Sequence, residues 1–113
     1  MNNRKVFILF GPSASGKTMV LQYLLQKKEL NLGRIITTTT RKPRTHELHS
    51  KDYYFITPEE FRRKNNWIEQ TEYPKGSGIF YGTEDSEIKR INQLNKDAIV
   101  ILDANGVHSF KKF

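Results

Sequence analysis

Residues 11–18, Gly-Pro-Ser-Ala-Ser-Gly-Lys-Thr, have the types and spacing to hold a chain of phosphates. They match G-x-x-x-x-G-K-[ST], a loop whose successive backbone N–H groups converge on an anion at a helix N-terminus. Gly11 and Gly16 let the backbone wrap closely without a Cβ in the way, with Ser13, Ala14 and Ser15 between them. Lys17 is expected to reach the β- and γ-phosphates of a nucleotide, and the Thr18 hydroxyl to ligate Mg²⁺. A second polar set lies mid-chain. Arg41 and Arg44 stand three apart on a turn that Pro43 keeps extended, and Tyr53 and Tyr81 flank the stretch that follows. Two fork-shaped guanidinium donors with two phenols suit a phosphomonoester. Glu69 follows Ile68 in a half-apolar stretch, and a carboxylate there can accept two parallel N–H bonds. Taken singly, Tyr53 reads better as ordinary core and Glu69 as a solvated strand residue.

The elements that must position these groups follow from the hydrophobic pattern. Residues 4–10, with the apolar run Val6-Phe-Ile-Leu-Phe10, read as a strand buried on both faces, as in a parallel sheet covered by helices. Residues 16–28 read as a helix with Val20, Leu21, Leu24 and Leu25 on one face. That strand–loop–helix order is the context the phosphate loop requires. Gly33 breaks the pattern, and the β-branched stretch 34–39 reads as a second strand. Residues 46–54 turn from polar to aromatic and enter a small hairpin-like subdomain. Thr57-Pro58-Glu59-Glu60 forms a capping box opening a short helix to about residue 66. Residues 67–73 read as a strand, 74–78 as a turn and 79–81 as a return strand. A helix over 84–94 with Thr83 as N-cap follows, then the apolar strand 98–102 with Asp103 at its carboxyl end. The fold class is therefore α/β, a parallel sheet flanked by helices with an inserted small mixed subdomain. The expected core is 1–40 with 84–113, and the insertion about 41–83. Ligands of such sheets sit beyond the carboxyl ends of the strands, so residues 11, 37–40 and 103 are expected to converge.

Bulk properties set bounds on this reading. The 113 residues suffice for one domain with a real core, and 36% hydrophobic with 27% charged residues is folded rather than disordered composition. The net charge of +7 favours polyanions, but no block of five or six like charges marks a nucleic-acid arm. No apolar run approaches the roughly 20 residues of a membrane span. The opening Met1-Asn-Asn-Arg-Lys5 lacks the shape of a signal peptide, and cysteine is absent, so a cytoplasmic setting is expected. His46, His49 and His108 lack metal-ligand spacing and read as surface residues.

The blocks taken together resemble guanylate kinase over nearly the whole chain. The resemblance rests on the phosphate loop, on Thr37-Thr-Thr-Thr-Arg41-Lys-Pro-Arg44, and on Lys51-Asp-Tyr-Tyr-Phe55 and Glu59-Glu-Phe61. Ile68-Glu69, Tyr81-Gly-Thr83 and Leu102-Asp-Ala-Asn-Gly106 complete it. It implies transfer of a phosphoryl group from ATP to GMP, with Mg²⁺ accompanying the ATP. It further implies that Arg41, Arg44, Tyr53 and Tyr81 hold the GMP phosphate, while Thr37, Glu69, Thr83 and Asp103 contact guanine directly or through water. Lys17, Arg41 and Arg44 would be the catalytic charges. Two local departures stand out: Ser50 where the family usually has glycine, and Ile101 at the earlier of two positions that are often aspartate. Family members also continue past this length with a lid, adenine contacts and further strands. An end at residue 113 is therefore expected to leave strand 5–10 at a sheet edge, open to self-association, with impaired turnover. Two other readings compete: a non-catalytic guanylate kinase-like binding module, and a related kinase acting on a phosphorylated sugar. No specific nucleic-acid partner and no membrane association are expected.

Overall fold

A computed structural model describes residues 4–10 and 16–102. The chain separates into two compact units, one from residues up to Ile35 and from Glu87 onward, the other Ile36–Ser86.

The first unit is a parallel three-stranded sheet. Its strands are β1 (Val6–Phe10), β2 (Leu32–Arg34) and β7 (Asp97–Leu102), in the order β1-β7-β2. Val6 pairs with Ala98 and Phe10 with Leu102, while Leu32 pairs with Asp97. β7 lies between two partners and is the core: Ala98, Ile99, Val100 and Leu102 are all buried. β1 has a strand neighbour on one side only among the described residues. It is therefore not the doubly buried strand its composition predicts: Val6, Phe7 and Phe10 are 39%, 45% and 62% exposed. Helix α1 (Lys17–Gln26) is shorter than expected, and a 3-10 turn (Lys28–Leu30) follows it. Of its apolar face Leu21 is buried, whereas Val20 is exposed. Gly33 lies inside β2 instead of breaking it. A Cβ there would come within 2.9 Å of Ile91, the fully buried residue of helix α3 (Asp85–Gln93), so the glycine lets helix and strand close up.

The second unit is a mixed four-stranded sheet of β3 (Thr38–Thr39), β4 (Tyr54–Phe55), β5 (Trp67–Glu72) and β6 (Phe80–Glu84). Its order is β4-β3-β6-β5, with β3 and β4 parallel and the other pairs antiparallel. Helix α2 (Pro58–Arg63) opens with the predicted capping box. The Glu60 N–H donates to Thr57 Oγ1 and the Thr57 N–H to Glu60 Oε1, each at 3.1 Å. α2 brings Phe61 onto Trp67 and Phe80, with ring centroids 4.2 and 5.5 Å apart. Gly82 is what lets the Trp67 indole close onto β6: a Cβ there would sit 2.6 Å from the ring.

Three expectations are corrected here. The stretch 34–39 is not one strand but two, in different sheets. Ile35 N–H still donates to Ile99 of β7, whereas from Thr37 onward the backbone pairs with Tyr54. β-branched composition makes both halves extended and does not say which neighbour each will find. β4 joins β3 in parallel and so is no hairpin partner of it. The helix expected from residue 84 starts at Asp85, and Thr83 and Glu84 finish β6.

Candidate functional site

The phosphate-loop residues Gly11, Ser13, Ala14 and Ser15 lie outside the described residues, as does Asp103. What flanks them has the required form. β1 ends at Phe10, Gly16 takes φ 85°, and Lys17 and Thr18 form the first turn of α1. A left-handed φ is the conformation that glycine adopts without a Cβ clash. The first intrahelical bond runs from Val20 N–H to Gly16 C=O, so the N–H groups before it face the helix mouth, where the dipole favours an anion.

In the Ile36–Ser86 unit the threonine run and its turn build a second cluster. Thr39 Oγ1 donates to the Phe80 carbonyl at 2.9 Å and accepts the Arg41 N–H at 3.1 Å, while Thr40 Oγ1 accepts the Phe80 N–H. These bonds tie the turn to β6 and carry the Arg41 guanidinium to Tyr81, whose hydroxyl accepts from Nε at 3.2 Å. The guanidinium also lies over the Tyr53 ring at 5.3 Å, and the Tyr53 and Tyr81 rings meet edge-on at 6.0 Å. Three of the four residues predicted around a phosphate are thus in contact with one another. Arg44 is on the same turn with its side chain exposed.

Glu47 completes the cluster and was missed by sequence reading. Its carboxylate takes Arg41 Nη1 and Nη2 at 2.9 Å each and the Arg44 N–H at 2.8 Å. The available signal was a carboxylate three residues past Arg44, closing a turn in which Glu47 N–H donates to the Arg44 carbonyl. The Arg41 hydrogen bond, then the Arg44 amide, pull the Glu47 carboxyl from 4.5 down to about 2, and the same contact raises Arg41 further above its already high range. Because the folded value is depressed, the stabilisation is fully present above 4.5 and lost as pH falls towards 2. A carbon-detected NMR titration should find the Glu47 carboxyl titrating near 2, and a midpoint near 4.5 would show that the fork-to-fork pair does not persist in solution.

The third cluster is a cross-strand pair. Glu69 on β5 faces Thr83 on β6 in register, and Thr83 Oγ1 donates to Glu69 Oε2 at 2.8 Å. Both are buried, which removes the solvated-strand alternative for Glu69 and the capping role for Thr83. Thr37 is half-buried, with its carbonyl taken by the Tyr54 N–H. A neighbouring buried carboxylate, Glu84, accepts from Thr38 Oγ1 at 3.1 Å and Lys64 Nζ at 2.9 Å, fixing β3 against β6. His46 and His49 are exposed, the latter accepting the Phe55 N–H at Nδ1; His108 is outside the described residues. Among the described residues no group of three or more His, Cys, Asp and Glu side chains is placed to hold a metal ion.

The family model for guanylate kinase matches residues 3–113. The chain belongs to the guanylate kinase family. It is 40% identical over 112 residues to the guanylate kinase of Porphyromonas gingivalis, covering 96% of this chain and 58% of that protein. It is 35% identical over 115 residues to that of Sus scrofa, covering 99% and 57%. The crystal structure of guanylate kinase from Anaplasma phagocytophilum superposes with a TM-score of 0.74 at 27% identity, covering 96% of this chain and 53% of that one. The chain thus spans a little over half the length of the relatives it matches. Family membership also gives meaning to Ser50, which departs from the usual glycine. It sits at φ 68°, in the left-handed region that a glycine occupies without strain. Ile101, the other departure, is half-buried in β7 opposite Leu9.

Proposed function

We propose that this guanylate kinase-family chain binds GMP through its Ile36–Ser86 unit and the phosphates of ATP through its phosphate loop, for phosphoryl transfer giving ADP and GDP. The observation that carries the reading is the pairing of two recognition clusters in one four-stranded sheet. Arg41, Tyr53 and Tyr81, with Arg44 alongside, suit a phosphomonoester. The buried Glu69–Thr83 pair suits guanine, whose N1–H and exocyclic amine supply the two donors a carboxylate can accept. Thr37 and Asp103 are further candidates for base contact. Lys17, Arg41 and Arg44 act as catalytic charges: Lys17 on the donor phosphates, the two arginines on the acceptor. Transfer between two anions is mostly positioning and charge neutralisation, so no separate nucleophile is needed. Thr18 offers an exposed hydroxyl in the first turn of α1. A single hard oxygen fits Mg²⁺, which keeps its waters and takes most other ligands from phosphate. The ion would supply charge neutralisation at the donor phosphates.

Glu69→Gln tests the base site. It exchanges a charge-assisted acceptor for an amide that presents a mismatched donor, and GMP binding should weaken by about 1–3 kcal/mol in calorimetry. Unchanged GMP affinity removes Glu69 from the site. A phosphorylated sugar binding as well as GMP favours the sugar-kinase reading instead, and GMP binding with no transfer at saturating ATP favours a binding module.

A cytoplasmic place of action belongs to the same proposal; no described helix is long and apolar enough to cross a membrane. We further propose that β1 is a self-association edge, because its exposed apolar side chains accompany an edge with no strand partner among the described residues. Light scattering should show dimers or larger species that Phe10→Lys returns to monomer. A wild-type monomer at the highest soluble concentration sinks this idea.

A further inference from the structure

The Arg41 guanidinium has five N–H bonds, and the structure assigns most of them before any ligand is considered. Nη1 donates to the Lys42 carbonyl at 3.0 Å and to Glu47 Oε1; Nη2 donates to Glu47 Oε2; Nε donates to the Tyr81 hydroxyl. Glu47 therefore occupies the end-on fork between the two Nη atoms. The edge that remains is the side-on fork of Nε–H and the second Nη2 hydrogen, which has no acceptor among the described residues. Tyr81 Oη already sits on that edge as an acceptor, and the Tyr53 ring lies over the guanidinium plane. The side chain is only 13% exposed, so the guanidinium has little freedom to turn another edge outward.

We propose that Glu47 is a positioning residue of the GMP phosphate site: by clamping the end-on fork of Arg41 it dedicates the side-on fork to the phosphate. This rests on the GMP reading above. A phosphate oxygen arriving on Nε–H and Nη2–H takes the place of Tyr81 Oη as acceptor. The Tyr81 O–H, a donor separate from the lone pair that accepts Nε–H, can then turn to the same phosphate, so one exchange serves both residues. Glu47 also accepts the Arg44 N–H, so a single carboxylate sets the backbone of one arginine and the head group of the other. Its charge offsets that of Arg41, which leaves the exposed Lys42 and Arg44 as the cations of the turn outside any ion pair among the described residues. The opposite role for Glu47, an internal anion that competes with phosphate, fits the contacts less well. Competition requires the ligand to take the fork that Glu47 holds, and the open fork lies on the other edge.

The two roles give opposite signs in one experiment. Full-length wild type, Glu47→Ala and Glu47→Gln are titrated with GMP and with guanosine, which lacks the phosphate, and binding is followed by NMR. Positioning predicts that Glu47→Ala weakens GMP by about tenfold or more although the site has gained positive charge. Guanosine affinity should stay within about twofold, and Glu47→Gln, which keeps one acceptor for Arg41, should fall between wild type and alanine. The Arg41 Nε–H resonance should shift when GMP is added to wild type and broaden in Glu47→Ala. GMP binding that is unchanged or tighter in Glu47→Ala overturns the proposal in favour of a competing anion. Equal losses for GMP and guanosine overturn it in favour of a merely structural turn. Wild type that binds neither ligand overturns the GMP reading itself, and that outcome is distinct from the other two because it appears before any substitution.

Discussion

Lys17→Ala is expected to remove detectable ATP and ADP binding while leaving GMP affinity nearly unchanged. Lys17 is the first residue of α1 and follows the left-handed Gly16, which puts it at the helix end whose dipole favours an anion. Losing a charge-assisted contact to a polyphosphate costs about 2–5 kcal/mol, which is roughly thirty- to several thousand-fold in affinity. The fold should survive, because alanine is the best helix former and Lys17 makes no contribution to the buried core. A loss of binding is therefore a loss of contact and not of α1. GMP is spared because its proposed ligands Thr37, Arg41, Arg44, Tyr53, Tyr81, Glu69 and Thr83 belong to the Ile36–Ser86 unit, whereas Lys17 belongs to the other, which among the proposed GMP ligands holds Asp103 alone. Calorimetry with each nucleotide separately decides the matter. Equal losses for ATP and GMP would mean that the two phosphate clusters serve one ligand.

That assignment was readable from the sequence because each part of it is local. A glycine-bracketed loop between an apolar run and a helical pattern needs no long-range information, and neither does the Thr57–Glu60 capping box. The arginines and tyrosines were also legible as residue types suited to a phosphate. What the sequence did not show is which partners each group finds across strands. Thr83 before Glu84 and Asp85 has the pattern of a helix cap, a motif worth about 1 kcal/mol. The register of β5 with β6 places it opposite Glu69 in a buried pair, and the buried hydrogen bond prevails. Glu47 was hidden in a similar way: its place three residues past Arg44 marks a turn but does not say that the carboxylate reaches back six residues to Arg41. Between residues 34 and 38 the chain leaves one sheet for another without any turn residue to mark the change.

Phe61→Ala should lower stability by about 3–5 kcal/mol, the usual cost of deleting a buried aromatic ring. Phe61 is 4% exposed, and it is what α2 contributes to the core of the Ile36–Ser86 unit, stacked on Trp67 and against Phe80. The ring pairs add about 0.5–1.5 kcal/mol to the area term, and Trp67 has no other large ring recorded against it among the described residues. Its indole lies on Gly82, so collapse into the vacated space is limited by backbone that already touches it. A native domain keeps only about 5–15 kcal/mol, so this one side chain controls a large share of the margin. The loss should be regional. Amides of β3, β5 and β6 should exchange with solvent much faster, carrying the Arg41–Tyr81 and Glu69–Thr83 clusters with them, while the Ala98–Leu102 amides of β7 lose less. GMP binding should then recover on cooling or in stabilising salt, as a binding-site mutation would not. Hydrogen exchange read residue by residue makes the comparison directly: uniform loss across both sheets would show that the two units unfold as one, and no loss in β5 and β6 would show that the aromatic stack does not hold them.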